Sequence, residues 1–189
     1  SHPQPPQRLD APLELDPADW PARDVYFVMT GLVVPRPIAW VSTLGADGTR
    51  NVAPHSYFNL VAHDPPHVVF SSAGLKDTVR NLEGLPQFVV NIVTMDVVEP
   101  MNFTSTDFPP NEDEFAWAGL TPVASQRVAP PRVAEAKAHL ECEVVDLVRA
   151  GNGHVVVGEV VHLHVDPSVW MQGRVDPELH LQALAGQQA

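Results

Sequence analysis

The sequence lacks the features that mark several common classes of protein. Cysteine occurs once, at Cys142, so an intrachain disulfide framework and a multi-cysteine metal site are both excluded. The longest uncharged apolar stretch, residues 25–34, is about half of the roughly 20 residues that a membrane-spanning helix needs. The first ten residues contain no apolar segment of the kind found in signal peptides. We therefore expect a cytoplasmic protein that does not bind membranes.

Positive charge is also scarce. The chain has 11 Lys and Arg against 23 Asp and Glu, which gives a formal net charge of −12. This balance repels the phosphates of nucleic acids and of anionic membranes, so nucleic acid is not an expected partner. The GxGxxG, GxSxG and P-loop motifs are absent as well. Their absence argues against the nucleotide-binding sites that these motifs form and against serine hydrolases with a GxSxG motif.

The composition that remains is that of one β-rich domain. A chain of 189 residues with 44% apolar residues is long enough to bury a core. Valine outnumbers leucine and there are 20 prolines, which favours β-structure with many breaks. We predict an N-terminal arm over residues 1–20 and one domain over residues 21–189. The arm is polar and rich in proline, so we expect it to order only against the domain or a second subunit.

Runs of β-branched and aromatic residues predict antiparallel strands joined by tight turns. Residues 36–44 and 51–62 flank Gly45-Ala46-Asp47-Gly48, and residues 138–148 and 154–165 flank Ala150-Gly151-Asn152-Gly153, so each pair is a predicted hairpin. Further strands are predicted at 67–72 and 88–93, helices at 76–85 and 176–184, and a partly helical segment at 97–119. The pattern indicates a mainly β fold, either a closed or a Greek-key antiparallel barrel.

The few cations of the central part of the chain are concentrated in one short segment. Between Asn51 and Gln126 the only Lys or Arg residues are Lys76 and Arg80, which follow Ser71-Ser72-Ala73-Gly74 and open a predicted helix. Such a strand end, leading through glycine into a helix N-terminus, offers N–H groups and a favourable dipole to an anion. The segment is a candidate phosphate site. A helix capped by its own Ser or Thr, with solvated Lys and Arg, is the alternative.

A second unusual segment is Ala53-Pro54-His55-Ser56-Tyr57-Phe58-Asn59. Pro54 interrupts the hydrogen-bond ladder of the predicted strand and can leave backbone N–H groups unpaired. Those donors, with the Ser56 hydroxyl and the Asn59 amide, suit the edge of a flat heteroaromatic ring. Taken alone, the segment is better explained as an edge strand that Pro54 protects from aggregation.

Taken together, these blocks closely resemble the flavin reductase-like family of FMN-binding split barrels, in order and in spacing. The resemblance covers about residues 21–176, most of the chain. It rests on residues 35–43, 51–59, 64–66, 70–72 and 76–81, and continues through residues 88–93, 113–120 and 154–160.

The resemblance implies a six-stranded antiparallel Greek-key split barrel with short flanking helices. It also implies a homodimer with FMN near the dimer interface. Ser71, Ser72, Lys76 and Thr78, together with Asp77, would bind the FMN phosphate, and Arg36 would add a further cation. Pro54, His55, Ser56, Tyr57, Phe58 and Asn59 would lie along the isoalloxazine ring, with Ser56 near the edge that contains N5. Ser42 and Thr43 would contact the ribityl chain, and residues 112–115 would approach from the partner subunit.

The same resemblance implies an NAD(P)H:FMN oxidoreductase, in which NADH or NADPH gives hydride to N5 of FMN. A flavin-dependent monooxygenase is then a partner to which reduced flavin is supplied. His154 would be the catalytic residue that orients the nicotinamide or relays a proton, although a single His at a strand start is more often structural. A flavin-binding electron-transfer protein without reductase turnover is the alternative function.

Two histidines raise a further alternative, a metal-binding β-barrel. His162 and His164 are two residues apart on a predicted strand, so both side chains point to one face and are placed to share a metal. The glycine and acid spacing expected around such a pair in a cupin-like barrel is missing. We therefore predict no metal.

Overall fold

The computed structural model describes residues 9–109, 112–178, 180 and 182–185, and its centre is a seven-stranded antiparallel sheet. In chain order the strands are β1 (Ala39–Leu44), β2 (Arg50–His55), β3 (Tyr57–His63), β4 (Pro66–Ala73), β5 (Gln87–Ile92), β6 (Ala138–Ala150) and β7 (Gly153–Val165). Their order in space is β2-β1-β5-β6-β7-β4-β3. Two-residue strands form three small pairs: Arg36–Pro37 with Leu184–Ala185, Pro122–Val123 with Arg132–Val133, and Trp170–Met171 with Arg174–Val175.

Both predicted hairpins are confirmed. Strands β1 and β2 pair from Ala39 opposite His55 to Leu44 opposite Arg50, and their turn contains Gly48 at φ 84°. Strands β6 and β7 meet where Ala150 lies opposite Gly153, with Gly151 at φ 59°. Glycine suits both turns because these φ values are unfavourable for residues that carry a Cβ.

The sheet curls into a barrel at Ser56. Strands β2 and β3 are separated by this residue alone, yet they lie at opposite edges of the sheet: His55 pairs with Ala39, whereas Tyr57 pairs with Ser71. Because consecutive Cα atoms are about 3.8 Å apart, so short a connection brings the two edges together. The predicted strand 51–62 is therefore divided in two, and the expectation of six strands is corrected to seven.

The helices are short and lie around this sheet. They are α1 (Ala22–Leu32), α2 (Asp77–Gly84), α3 (Val98–Phe103) and α4 (Glu114–Ala118), with 3-10 turns at Pro17–Asp19, Met95–Val97 and Pro167–Val169. Helix α2 confirms the prediction for residues 76–85, and α3 and α4 confirm a partly helical segment. Helix α1 was not predicted. In the described part of the chain, no helix has the length and apolar character needed to cross a bilayer.

The predicted C-terminal helix over residues 176–184 is wrong. The described residues of this stretch form a turn, a bridge from Gln182 to Thr94 and a strand at Leu184–Ala185. Ala183 is buried, and its N–H donates to the Val93 carbonyl at 2.9 Å. Backbone pairing with a neighbouring segment thus overrides the local helical pattern.

Two apolar clusters lie on opposite faces of β1. Ala39 and Val41 point into the barrel, where they pack in one cluster with Phe70 and Phe88. Trp40 points outward and packs with residues of α3, α4 and the following loops. Its indole Nε1 donates to the Thr104 hydroxyl at 2.9 Å. Because successive side chains of β1 point to opposite faces, one face of the strand is buried inside the barrel and the other under α3 and α4. The packing on the outer face places the segment that follows α3 near the edge of the sheet.

Candidate functional site

A cleft of about 1490 Å³ lies at the junction of β2 and β3. It exceeds the roughly 300–1,000 Å³ of ordinary small-molecule pockets, so it has room for more than one ring system. Its walls are the β2–β3 junction, the end of β4, the start of α2, one side of α1 and residues 104–108. The curling of the sheet at Ser56 is what brings these elements to one place.

The start of α2 forms one end of the cleft. Lys76 occupies the N-cap position, and no side chain of the described residues caps this helix. The Thr78 hydroxyl donates instead to the Asn51 side-chain oxygen at 3.3 Å. The alternative that Ser or Thr satisfies the first turn is therefore not found, and the N–H groups at this helix start are available to an anion.

The two cations near this helix start differ in how closely they are paired with a carboxylate. Lys76 Nζ lies 3.7 Å from a carboxylate oxygen of Asp107, and both side chains are more than half exposed. Arg80 donates to Asp77 at 2.8 Å on the same helix. Exposed pairs of this kind contribute little. The Lys76–Asp107 contact is longer than a hydrogen bond, so Lys76 can turn toward an anion at a smaller cost than Arg80, which would first give up its hydrogen bond to Asp77.

His55 forms part of the wall beside the broken strand. It is buried, its ring lies 4.9 Å from that of Phe70, and its Nε2 atom has no hydrogen-bond partner in the part of the chain that the structure describes. Burial, together with the charge of Lys76, lowers the pKa of His55 to about 4. The imidazole is therefore neutral at pH 7, with a buried nitrogen left for a ligand atom to satisfy.

Arg36 lines the cleft but is partly committed elsewhere. Its Nη1 donates to the carbonyl of Thr30 at 2.8 Å and to that of Val33, at the C-terminal end of α1. The guanidinium also lies 5.9 Å from the centre of the Tyr57 ring. Arg36 thus fastens α1 to the rim of the cleft, because a cation is favourable at a helix C-terminus.

The structure brings most of the predicted cofactor-binding residues to this cleft. Those that line it are Arg36, Pro54, His55, Ser56, Tyr57, Phe58, Asn59, Ser71, Ser72, Lys76, Asp77 and Thr78. Ser42 and Thr43 do not. Ser42 is buried and donates to the Pro131 carbonyl at 2.6 Å, and the Thr43 hydroxyl accepts from Asn81 at 3.0 Å. Both hydroxyls are used inside the fold.

His154 does not line the cleft either. Its neighbour Val155 does, and successive side chains of β7 point to opposite faces of the strand. His154 lies opposite Ser72 in the ladder, and its Nδ1 atom is buried without a hydrogen-bond partner among the described residues. The catalytic role of His154 therefore stays a prediction.

Several residues of the lining were not predicted from the sequence, among them Tyr26, Met29 and Asn51. Tyr26 and Met29 of α1 form a wall, and Asn51 lies near the α2 end, as does Glu114. Residues 112–115 were expected to approach from a partner subunit, but Glu114 lines the cleft of its own chain. Its carboxylate accepts the Val52 N–H at 2.8 Å.

The ionisation of Glu114 is shifted by its surroundings. Burial, opposed by the Val52 hydrogen bond and reinforced by the charges of Asp77 and Asp113, raises its pKa to about 7. Asp113 is itself paired with Arg50, whose Nε donates to it at 2.8 Å. The cleft thus contains one buried acid that changes charge near neutral pH.

The flavin reductase like domain family matches residues 30–178 of this sequence, and the chain belongs to that family. The split barrel is a fold found among its solved structural neighbours. The chain is 43% identical over 150 residues to an uncharacterised protein of Aquifex aeolicus, covering 77% of this chain and 76% of that one.

Two solved structures extend the comparison. Nitrilotriacetate monooxygenase component B from Bacillus cereus is 34% identical with a TM-score of 0.85, covering 96% of this chain and 99% of that chain. An NADH:FAD oxidoreductase of Streptomyces globisporus C-1027 is 25% identical with a TM-score of 0.71, covering 83% and 89%.

Proposed function

We propose that this protein is an NAD(P)H-dependent flavin reductase that binds FMN in the cleft and passes hydride from NADH or NADPH to N5 of FMN. One observation carries the proposal: a single cleft joins an uncapped helix start, two serines and Lys76 to the broken-strand wall of residues 54–59. The first part suits a phosphate and the second suits a flat ring. Membership of the flavin reductase-like family supports both assignments.

The residues present fit FMN. Ser71, Ser72, Thr78 and Lys76 surround the uncapped start of α2 and would hold the phosphate, with each charge-assisted hydrogen bond contributing roughly 1.5–3 kcal/mol. The unsatisfied Nε2 of His55 lies in the wall that would face the ring. When bound, FMN supplies the acceptor for hydride and the subsequent release of electrons, and this chain supplies binding and orientation.

Ser56 is the residue best placed to meet the N5 edge of the ring. It stands between the two ladders, and its hydroxyl makes no hydrogen bond within the described part of the chain. Its hydroxyl is therefore free to donate to a ring nitrogen. Tyr26 and Met29 form a wall contributed by α1, and we propose that the nicotinamide enters between this wall and the ring.

The charges at the α2 end favour FMN over FAD. Of the cations that line the cleft in the described residues, Arg36 is bonded to α1 and Arg80 to Asp77, which leaves Lys76 for the ligand. Asp77 and Asp107 stand close by. One available cation beside two carboxylates suits a single phosphate better than a pyrophosphate that carries an adenosine.

Spectroscopy and stopped-flow mixing test this function. We expect the protein to bind added FMN and to turn yellow, and anaerobic NADH or NADPH to bleach that colour at a catalytic rate. Slow bleaching with both nucleotides identifies an electron-transfer flavoprotein without reductase turnover. A colourless protein that also fails to bind added FMN refutes the proposal.

We further propose a cytoplasmic homodimer with FMN near its interface, which supplies reduced flavin to a monooxygenase. The 34% identity to a protein named as a monooxygenase component supports the last point. In the predicted N-terminal arm, Pro17 and Trp20 line the cleft. We therefore propose that the arm orders over the cleft rather than away from the domain.

A further inference from the structure

Three ionisable side chains meet on β6 and β7 outside the cleft. They are Glu141 of β6 and His162 and His164 of β7, and one ligand atom from each lies within 4.8 Å of the other two. In the ladder His162 lies opposite Glu141, and the two imidazole rings are 4.8 Å apart. The sequence pattern pointed to the two histidines alone, and strand pairing adds the carboxylate.

Glu141 is held rigidly. Its side chain is completely buried, and its oxygens accept the N–H groups of Gln126 at 2.9 Å, Arg127 at 2.7 Å and Val128 at 3.2 Å. The carboxylate also forms a hydrogen bond with His164. A carboxylate oxygen is therefore fixed in position beside both imidazoles.

The two histidines form fewer hydrogen bonds than the Glu141 carboxylate. His164 Nε2 forms a hydrogen bond with Glu141, whereas His162 makes only a ring contact with His164 among the described residues. His162 is half-buried, so solvent reaches the cluster. The adjacent His139 forms a hydrogen bond with the Val133 carbonyl at 2.7 Å through Nε2, so this nitrogen is already used.

The cluster is separate from the cleft. Val155 is the β7 residue that lines the cleft, and His162 follows it by seven residues, or about 23 Å along an extended strand. A ligand at the cluster does not contact a molecule bound in the cleft. The inference therefore does not rest on the proposed function.

We propose that Glu141, His162 and His164 bind a divalent transition-metal ion of the Zn²⁺ type. Two imidazoles and one carboxylate form a donor set that Zn²⁺ accepts, with water at the remaining position. A point equidistant from three atoms 4.8 Å apart lies about 2.8 Å from each, so movements of less than about 1 Å bring all three to ordinary Zn²⁺ distances. The ion replaces the proton between His164 and Glu141 and links β6, β7 and residues 126–128.

Calorimetric titration of tag-free, chelator-treated protein with ZnCl₂ tests this site. We expect saturable binding of one Zn²⁺ per chain, at least tenfold weaker binding in His162→Ala, and unchanged binding in the control His63→Ala, an exposed histidine at the end of β3. We also expect Zn²⁺ to raise the melting temperature of the wild type but not that of His162→Ala, as mass action requires. MgCl₂ is expected not to bind here, because Mg²⁺ prefers oxygen ligands.

Several results would overturn the site. These are the absence of saturable Zn²⁺ binding, equal affinity in His162→Ala and the wild type, or competition between Zn²⁺ and FMN, which would place the metal in the cleft. Replacement of Glu141 removes the acceptor for three backbone N–H groups and is expected to disturb folding. The second variant is therefore His164→Gln, which can still donate to Glu141 and is expected to weaken Zn²⁺ binding at least tenfold.

Discussion

At the scale of single residues, Lys76 is the side chain on which the phosphate assignment depends most. It is the cation of the cleft with the weakest partner, at the start of an uncapped helix. We expect Lys76→Ala to weaken FMN binding roughly tenfold, because one charged contact of about 1.4 kcal/mol is lost. Fluorescence titration measures this. Lys137→Ala, which removes the same charge outside the cleft, is the control, and equal affinities in the two variants would displace the phosphate site.

Glu114 is expected to make the free energy of unfolding fall as the pH rises. Its folded pKa of about 7 lies above the ordinary value of 4.5, so the folded state binds the proton more tightly. Stability is therefore lost as pH rises from about 4.5 through 7, by up to about 3 kcal/mol. We expect Glu114→Gln to match the wild type near pH 4.5 and to be more stable at pH 8, since Gln keeps an acceptor for Val52.

Urea denaturation at several pH values measures this difference. Glu83→Gln on the exposed side of α2 is the matched control, because it removes the same charge without burial. A difference between wild type and Glu114→Gln that stays constant between pH 4.5 and 8 would contradict the assignment.

At the scale of elements, the barrel depends on the close approach of β7 to β5 at Gly158. A Cβ added there would lie 2.5 Å from the Phe88 ring, which is fully buried and packs edge-on against Phe70. We expect Gly158→Ala to destabilise the protein by about 1–3 kcal/mol, because the ring must shift within a packed core. Denaturant unfolding checks this.

Gly84 provides the control for the change at Gly158. It ends α2 with no atom within 4 Å of an added Cβ, so Gly84→Ala is expected to leave stability unchanged or to raise it by roughly 0.5–1 kcal/mol. Equal stability of the two alanine variants would show that Gly158 does not determine how β7 meets β5.

At the scale of the whole molecule, β3 and α1 are two of the elements that carry exposed apolar side chains. On β3, Leu60 is 73% and Val61 56% exposed, and on α1 Leu32 is 75% exposed. An edge strand with uncovered apolar side chains associates readily, and α1 buries none of its residues within the described chain. Other residues of the same two elements, among them Met29 and Tyr57, line the cleft, which supports the proposal that FMN lies near a dimer interface.

Light scattering coupled to size-exclusion chromatography tests the dimer. We expect a mass of twice 20.6 kDa for the wild type and a shift toward the monomer for Leu60→Lys. Met95→Lys, which places the same charge on an exposed residue outside β3 and α1, is expected to remain dimeric. A wild-type mass of 20.6 kDa at micromolar concentration would refute the dimer.

The amino-acid sequence by itself determined the β-rich class, both hairpins, helix α2 and most of the cleft residues. The class, the hairpins and the helix follow from local chemistry, since glycine turns, β-branched runs and a serine-rich helix start act over a few neighbouring residues. The joint assignment of the cleft residues came from the resemblance to the flavin reductase-like family. The break at Ser56, the seventh strand and the false C-terminal helix depended on pairing between distant segments. So did the roles of Glu114 and Glu141: a buried carboxylate takes its pKa and its partners from residues remote in the chain, and only the folded structure brings them within reach.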